Sequence, residues 1–286
     1  DSGAMYVTDW GNPNPYIKIF TDLSDTVPDV VLGGLAGVSP SRMDSPWGLA
    51  VWQGPETTIL FVADMANNRV LGFLARTTDG GFFQDTQADY VFGQPNFTSK
   101  SPSAGLNGFN EPRGLAVRDT GGTSIQLFVA EWRNDRVLAF DFPKSLMGSP
   151  NSAIDTTPDC GWGNGRGVDT EWVQMTSYVC IFGNRFFIAD IARVVVENLD
   201  DEDTGFEALW GAPAFDVVPV RGYSRTLLDQ TLSLAVNKSG TILAVCDNTH
   251  MVVKLFSDTT GRDTVAYDVI GDSDFLLPTY ANLLPT

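Results

Sequence analysis

Short apolar runs alternate with turn residues along most of the chain, and one such unit recurs. In residues 61–73, two apolar runs flank the polar stretch 64–69, whose Asp and Asn side chains can hydrogen-bond to their own backbone. This pattern predicts a β-hairpin. The same phrase returns at residues 128–140, and looser copies surround Asp9, Asp190 and Asp247. The acidic markers Asp9, Asp64, Glu131, Asp190 and Asp247 are spaced by 55, 67, 59 and 57 residues, a period that suits a four-stranded propeller blade.

Two further phrases share this period. An apolar run that ends in glycine follows each hairpin, at 30–33, 90–93, 208–211 and 268–271, with a degraded copy at 160–163. A run of small apolar residues precedes the hairpins at 46–51, 112–117 and 231–236, with a divergent copy at 175–182. Each blade is therefore predicted as an inner strand, a hairpin of two strands and an outer strand. The prediction is an all-β, single-domain propeller over residues 1–286 with five blades.

The two ends of the chain and one insertion complete the predicted architecture. The first hairpin has almost no chain before it to provide an inner strand, so residues 280–286 are expected to enter the first blade and close the ring. The long segment 142–172 is treated as an insertion. If this segment conceals a degenerate blade, the alternative is a propeller of six blades.

The phrases Pro-Arg-Gly-Leu-Ala-Val, Phe-Val-Ala-Asp with Asn-Asn-Arg-Val-Leu, and Val-Phe-Gly-Gln-Pro-Asn-Phe resemble the NHL-repeat β-propeller family. The resemblance is strongest to its secreted or bacterial members, which have an outer strand of the Gly-Gln-Pro-Asp-Phe type. Residues 46–140 match the pattern well, residues 176–275 match it loosely, and residues 141–175 do not match. The resemblance implies a propeller, commonly one of six blades.

Charge and hydropathy exclude some partners. The chain has 35 acidic and 18 basic residues, a formal net charge of −17, which repels nucleic acid and anionic lipid. It has no run of 18 apolar residues, so membrane insertion is not expected. Because the sequence opens at Asp1 without a basic and apolar leader, it is expected to be a processed, secreted chain or an excised fragment.

Two asparagines and one pair of cysteines are candidates for the modifications that secreted proteins carry. Asn96 and Asn237 stand in Asn-x-Ser/Thr tripeptides and would accept glycans on a eukaryotic secretory route. Cys160 and Cys180 flank one insertion and could form a disulfide, whereas Cys246 lies in an apolar run typical of a buried thiol.

The repeated Asp, Asn and Arg residues of the hairpins invite a catalytic interpretation, but their repetition favours a structural role in every blade. The Asp is expected to accept backbone N–H groups in a tight turn, and the Arg to join neighbouring blades by an ion pair. Function is expected where the blades differ, at the loops that enter the inner strands. The candidate ligand-binding residues on this axial face are Trp47, Arg113, Thr176 beside Met175, Gln230, Thr231 and Asn282. Arg can hold a carboxylate and Trp can stack on a ring, so the expected partner is a protein, a peptide or a glycan. The alternative is that Trp47 and Arg113 only pack.

The residues offer little recognisable catalytic chemistry. His250 is the only histidine, too few for the histidine-bound zinc of the amidating lyase, a propeller similar to this family, and no Gly-x-Ser-x-Gly elbow accompanies it. The acidic run 200–203 is expected to be a solvated loop. We therefore predict a non-enzymatic binding or assembly module without a cofactor, either alone or in a larger assembly. The alternative is a calcium-dependent hydrolase or lactonase resembling gluconolactonase, since calcium prefers the oxygen ligands that this chain has in surplus.

Overall fold

The structure is a computed structural model. It describes residues 3–10, 14–76, 83, 86–147, 157–163, 173, 176–190, 193–199, 208–211, 228, 230–248, 251–257, 266 and 268–271. Within these residues the secondary structure consists of strands and two short 3-10 helices, Met65–Asn67 and Lys144–Leu146. None of the described helices is long and apolar enough to span a membrane.

The strands form five antiparallel sheets that follow one another along the chain. Their bounds, sheet by sheet, are β1 (Met5–Asp9), β2 (Tyr16–Phe20) and β3 (Val30–Gly33); β4 (Pro46–Gln53), β5 (Thr57–Asp64), β6 (Arg69–Arg76) and β7 (Tyr90–Phe92); β8 (Pro112–Asp119), β9 (Ser124–Glu131), β10 (Arg136–Pro143) and β11 (Cys160–Gly163); β12 (Tyr178–Phe182), β13 (Arg185–Asp190), β14 (Arg193–Asn198) and β15 (Ala208–Gly211); and β16 (Thr231–Val236), β17 (Leu243–Asp247), β18 (Val252–Phe256) and β19 (Asp268–Gly271).

The predicted five-bladed, all-β propeller class is confirmed by these sheets. The four four-stranded sheets follow the order inner strand, hairpin and outer strand that the phrases predicted, and the first sheet shows the hairpin and the outer strand. The runs that end in glycine are the outer strands β3, β7, β11, β15 and β19. The degraded copy at 160–163 is β11, which pairs with β10. The described part of segment 142–172 therefore completes the third blade and adds no sixth one.

The first sheet has three strands in the part of the chain that the structure describes. Its marker Asp9 ends β1, as Asp64 ends β5, so β1 corresponds to the second strand of a complete blade. The position that remains is that of the inner strand, as the sequence predicts. The proposed closure by residues 280–286 lies outside the described residues.

The chain divides into two compact units, Asp1–Thr176 and Ser177–Thr286. The core of the first unit contains a cluster of aromatic rings from the second and third sheets and from Phe109, which precedes β8. The rings pack edge to face with centroid separations of 5.0–6.2 Å. The core of the second unit consists mainly of aliphatic side chains, among them Val194, Leu234 and Val245, and also contains the rings of Phe187 and Phe256. That residues 1–286 form a single domain stays a prediction.

The repeated acid of each hairpin forms an ion pair with a base of the same sheet. Asp64 and Arg69 are fully buried, with 2.7 Å between Oδ2 and Nε. The other two nitrogens of Arg69 donate to backbone carbonyls of the flanking loops, at Ser39, Arg42 and Phe97. Asp64 also accepts the backbone N–H of Asp44, at 2.7 Å. The hairpin is thus joined to the loops before and after it, which confirms the structural interpretation of these residues.

The same arrangement recurs in the other sheets, with changes in the base. Glu131 and Arg136 repeat it at 2.6 Å, and Asp190 pairs with Arg193 at 2.6 Å. The last sheet pairs Asp247 with Lys254, and the first pairs Asp9 with Lys18, both at 2.7 Å. These pairs lie within one sheet, so the expectation that the arginine pairs with a neighbouring blade is wrong. The acid keeps its place at the strand end, while the base varies in type and position.

Candidate functional site

Trp47 and Arg113, predicted as ligand-binding residues, lie side by side in the structure. Each is the second residue of an inner strand, Trp47 of β4 and Arg113 of β8. The guanidinium carbon of Arg113 is 5.0 Å from the ring centroid of Trp47 and 3.9 Å from that of Trp132. Arg113 is therefore held against two indole rings, an arrangement that attracts a cation through the ring quadrupoles.

A glycine allows this close approach of the two strands. A Cβ atom on Gly48 would lie 2.1 Å from the backbone oxygen of Arg113, so a larger residue would push β4 away from β8. Trp47 in turn contacts Trp10, with ring centroids 5.9 Å apart. Trp10 is 58% exposed, so its ring extends the aromatic surface toward solvent.

Glu111 completes the arrangement and balances part of its charge. Its carboxylate accepts hydrogen bonds from Arg113 Nη2 at 3.3 Å and from Arg133 Nε at 3.0 Å. Its backbone has a φ of 51° and is held by Asn68, whose Oδ1 accepts the Glu111 N–H at 2.9 Å. We call Trp10, Trp47, Glu111, Arg113, Trp132 and Arg133 the Trp–Arg cluster. Two guanidinium groups share one carboxylate there, so these six residues carry a net positive charge in a strongly acidic chain.

Arg113 has hydrogen-bonding capacity that the described residues do not use. Its Nε is buried and has no hydrogen-bond partner among them. Burial lowers the pKa of Arg113, with Glu111 opposing that shift, and a guanidinium stays protonated at neutral pH in any case. An unsatisfied buried donor costs about 1–3 kcal/mol. An acceptor group on a ligand that reached Nε would recover this cost.

The other predicted ligand-binding residues are placed differently. Thr176 is fully buried, and its hydroxyl donates to the backbone oxygens of Glu131 and Arg136, both at 3.0 Å. Thr231, also fully buried, donates to the backbone oxygens of Asp190 and Arg193 in the second unit. These hydroxyls join strands, so their placement does not fit the predicted ligand role.

Gln230 is exposed, has a φ of 53° and accepts a hydrogen bond from Asn248 Nδ2 at 3.2 Å. Its backbone oxygen accepts the N–H of Asn248, as Glu111 does with Trp132. Gln230 is therefore the second-unit counterpart of Glu111. Met175 and Asn282 lie outside the described residues.

The structure places no metal-binding group in the part of the chain that it describes: no three His, Cys, Asp or Glu side chains there lie close enough to hold an ion. His250 and the acidic run 200–203 lie outside the described residues. At the Trp–Arg cluster the only carboxylate, Glu111, already binds two guanidinium groups, so this donor set does not fit calcium.

The cysteines are thiols in the structure, so a Cys160–Cys180 bond is absent from it. Cys160 is on β11 of the first unit and Cys180 on β12 of the second, and burial raises the pKa of Cys180 to about 12. A disulfide between them stays a prediction for a non-reducing peptide map. Cys246, expected to be buried, is half-buried on β17.

Glu111, Trp132 and Arg133 were missed from the sequence because they stand outside the inner-strand phrase. Trp132 follows the hairpin acid, where the other copies have Met65 and Asn248. The rule used for the inner-strand entries, that function lies where the copies differ, would also have selected this position. Trp10 follows the marker Asp9 in the same way.

Comparisons with known proteins support the fold. No family model matches the chain, and no curated protein matches it. Its structure is similar to a periplasmic gluconolactonase of Pseudomonas aeruginosa, with a TM-score of 0.52, 12% identity, and 94% of this chain and 67% of that one covered. It is also similar to a candidate 6-phosphogluconolactonase of Bacteroides uniformis, with a TM-score of 0.51, 12% identity, and 95% and 69% covered. At such identity the likeness concerns the fold alone, and it agrees with the β-propeller class that the five sheets indicate.

Proposed function

We propose that this propeller binds a small sugar acid or sugar lactone at the Trp–Arg cluster. The observation that carries the proposal is Arg113, held between Trp47 and Trp132 with an unused buried Nε–H. A carboxylate or a lactone carbonyl supplies the acceptor that this donor lacks. An indole face packs against the apolar side of a sugar ring.

The charge of the cluster supports an anionic or carbonyl-bearing ligand. Glu111 neutralises one of the two guanidinium groups, and Arg133 keeps a 60% exposed side chain. Since the whole chain has a formal net charge of −17, a locally positive group is the place where an anion is least repelled.

The named neighbours support the choice of a sugar acid over a peptide or a protein partner. One is a gluconolactonase and the other a candidate 6-phosphogluconolactonase, although both share only 12% of residues with this chain. The periplasmic location of the first also supports the secreted location proposed from the sequence.

Calorimetry with D-gluconate tests the binding proposal. We expect binding that weakens at least tenfold in Arg113→Met, because a charge-assisted hydrogen bond to a guanidinium contributes about 1.5–3 kcal/mol. Lys100→Met, which removes an exposed cation elsewhere in the same unit, serves as the matched control and should leave the affinity unchanged. No heat at millimolar gluconate, or equal affinity in Arg113→Met, would overturn the proposal.

Lactone hydrolysis is the second candidate, and the names of the neighbours favour it over binding alone. Glu111 lies beside Arg113 and could accept a proton from water as the water oxygen adds to the lactone carbonyl carbon. The ring C–O bond then breaks, and the proton passes to the leaving oxygen, which gives the open hydroxy acid. Acid release from glucono-1,5-lactone in a pH-stat should exceed the spontaneous rate and fall in Glu111→Gln. A rate equal to the spontaneous one would leave binding as the function.

A further inference from the structure

A pocket in the first unit is separate from the Trp–Arg cluster. It has a volume of about 820 Å³, within the range of small-ligand sites, and is lined by Trp52, Gln53, Gly54, Pro55, Glu56, Thr57, Asp119, Lys144 and Met147. Trp47 and Trp52 lie near opposite ends of β4, five residues apart, which corresponds to roughly 16 Å along a strand. Likewise Arg113 begins β8 and Asp119 ends it. We call this the β4–β5 turn pocket.

A fixed network of polar groups forms one wall of this pocket. Asp119 Oδ1 accepts hydrogen bonds from Lys144 Nζ at 2.7 Å and from the Gly121 N–H at 2.8 Å. Asp119 Oδ2 accepts the indole N–H of Trp52 at 2.8 Å. Lys144 lies 5.9 Å from the ring centroid of Trp52 and donates a second hydrogen bond to the Gly122 backbone oxygen. The wall is thus held in place without a ligand.

Asp119 and Lys144 can each form one more hydrogen bond, to a ligand. A carboxylate offers about four acceptor positions and an ammonium three donors. The bonds above use three of the positions on Asp119 and two of the donors on Lys144. One acceptor and one donor therefore remain on two adjacent side chains, 32% and 27% exposed, that line the pocket. Gln53, which is also exposed, adds an amide with both functions.

The charge and the apolar lining narrow the ligand class. Lys144 pairs with Asp119 in this wall, so an anionic ligand would have to compete with Asp119 for the ammonium group. A cation would have to compete with Lys144, which already neutralises Asp119. A neutral ligand with several hydroxyl groups can both donate to a carboxylate and accept from an ammonium, while its C–H face packs on Pro55 and Met147.

We propose that the β4–β5 turn pocket is a second binding site, which takes a neutral pyranose sugar. Asp119 accepts a hydroxyl hydrogen of the sugar, and Lys144 donates to a neighbouring hydroxyl oxygen. Gln53 contacts the sugar from the end of β4. The two sites of this unit then differ in ligand charge: the Trp–Arg cluster takes an acid or lactone, and the pocket takes a neutral ring.

Saturation-transfer NMR with the methyl glycosides of glucose, galactose, mannose and xylose tests the site. At least one should bind, and binding should weaken at least fivefold in both Lys144→Met and Gln53→Ala. Thermal melting checks that the variants are folded; Gln53 is exposed, so its variant keeps the test valid if Lys144→Met unfolds. Binding of none of the four sugars, or binding unchanged in Gln53→Ala and in a folded Lys144→Met, would overturn the proposal.

The Arg113→Met variant separates this site from the proposed function. The neutral glycoside should bind it with unchanged affinity, whereas gluconate binding should weaken at least tenfold. In the same variant, glucuronate should bind the pocket at least tenfold more weakly than the neutral methyl glucoside. Glycoside binding that disappears with Arg113 would place the sugar at the Trp–Arg cluster and refute a second site. Equal binding of glucuronate would refute the charge argument.

Discussion

Arg69 and Arg113 differ in how much hydrogen-bonding capacity their guanidinium groups have left in the folded protein. Every nitrogen of Arg69 donates within the fold, to Asp64 and to loop carbonyls, and the residue is fully buried. Arg113 stacks on two indoles, shares Glu111 with Arg133 and keeps a buried Nε without a partner among the described residues. The base that pairs with the acid of its hairpin belongs to the architecture, whereas the arginine outside these pairs has hydrogen-bonding capacity left for a ligand.

The largest expected effect is a difference in stability between variants of these two arginines. Arg69→Met leaves Asp64 as a buried carboxylate without its cation, and breaking a buried pair in this way costs about 3–5 kcal/mol. Arg113→Met, the matched variant, removes an unsatisfied donor and should cost less than about 1 kcal/mol. Urea unfolding of the two variants measures the difference in the free energy of unfolding. Equal losses would contradict the distinction between an architectural and a ligand-binding arginine.

The repeat made this distinction predictable, but it did not reveal the contacts. Copies of Asp64 and Arg69 are visible in the sequence because every hairpin needs its acid, so their structural role could be assigned. Trp47 and Arg113 could be paired because both stand second in inner-strand phrases. Thr176 and Thr231 were assigned to the ligand by the same rule and instead bind backbone oxygens. The position of a residue in a repeat shows which residues are equivalent. It does not show which way a hydroxyl group points, because that direction depends on how the strands pack.

A second substitution tests how the Trp–Arg cluster is held together. Gly48→Ala adds a Cβ 2.1 Å from the Arg113 backbone oxygen, and overpacking of this kind typically costs about 1–3 kcal/mol. It should also weaken gluconate binding, since Trp47 moves with β4. Gly122→Ala is the control, because its Cβ would meet only Thr120 Oγ1, at 3.7 Å. Thermal melting and calorimetry of both variants measure the effects. A wild-type melting temperature for Gly48→Ala would show that the strands do not approach as described.

The buried carboxyl group of Glu131 should make the free energy of unfolding depend on pH. Burial raises the pKa of Glu131 to about 7, with Arg136 acting in the opposite direction. The folded state therefore binds this proton more tightly than the unfolded state, whose carboxyl titrates near the ordinary value of 4.5. The resulting stabilisation is full below about pH 4.5 and is lost as the pH rises through about 7.

Urea unfolding at pH 5 and pH 8 measures this effect in the wild type and in Glu131→Gln. The free energy of unfolding of the wild type should fall between pH 5 and pH 8 by on the order of 2–3 kcal/mol more than that of the variant, because the amide does not titrate. Glu111→Gln, at the half-exposed acid of the Trp–Arg cluster, is the matched control and should keep the wild-type difference. A Glu131 variant with the wild-type pH dependence would show that this acid stays ionised in the fold.

The smallest expected effect concerns two asparagines that differ as the two arginines do. Asn237 is committed to a turn: its Oδ1 accepts the backbone N–H groups of Thr241 and Ile242, and its Nδ2 donates to Ser239 Oγ and Thr241 Oγ1. Asn96 is exposed and uses its Oδ1 to accept from Thr98 and Ser99. A glycan joins the side-chain nitrogen of asparagine, and in Asn237 that nitrogen is already engaged.

We therefore expect Asn96 to carry a glycan and Asn237 to remain unmodified when the chain is expressed through a eukaryotic secretory route. Peptide mapping after enzymatic deglycosylation in heavy-oxygen water measures the occupancy of each site. Thr98→Ala and Ser239→Ala, which destroy the two acceptor tripeptides in turn, provide matched controls: only the first should reduce the mass of the secreted protein. Preferential occupancy of Asn237 would mean that its turn opens before modification, and the hydrogen bonds of a side chain would then be a poor guide to its availability.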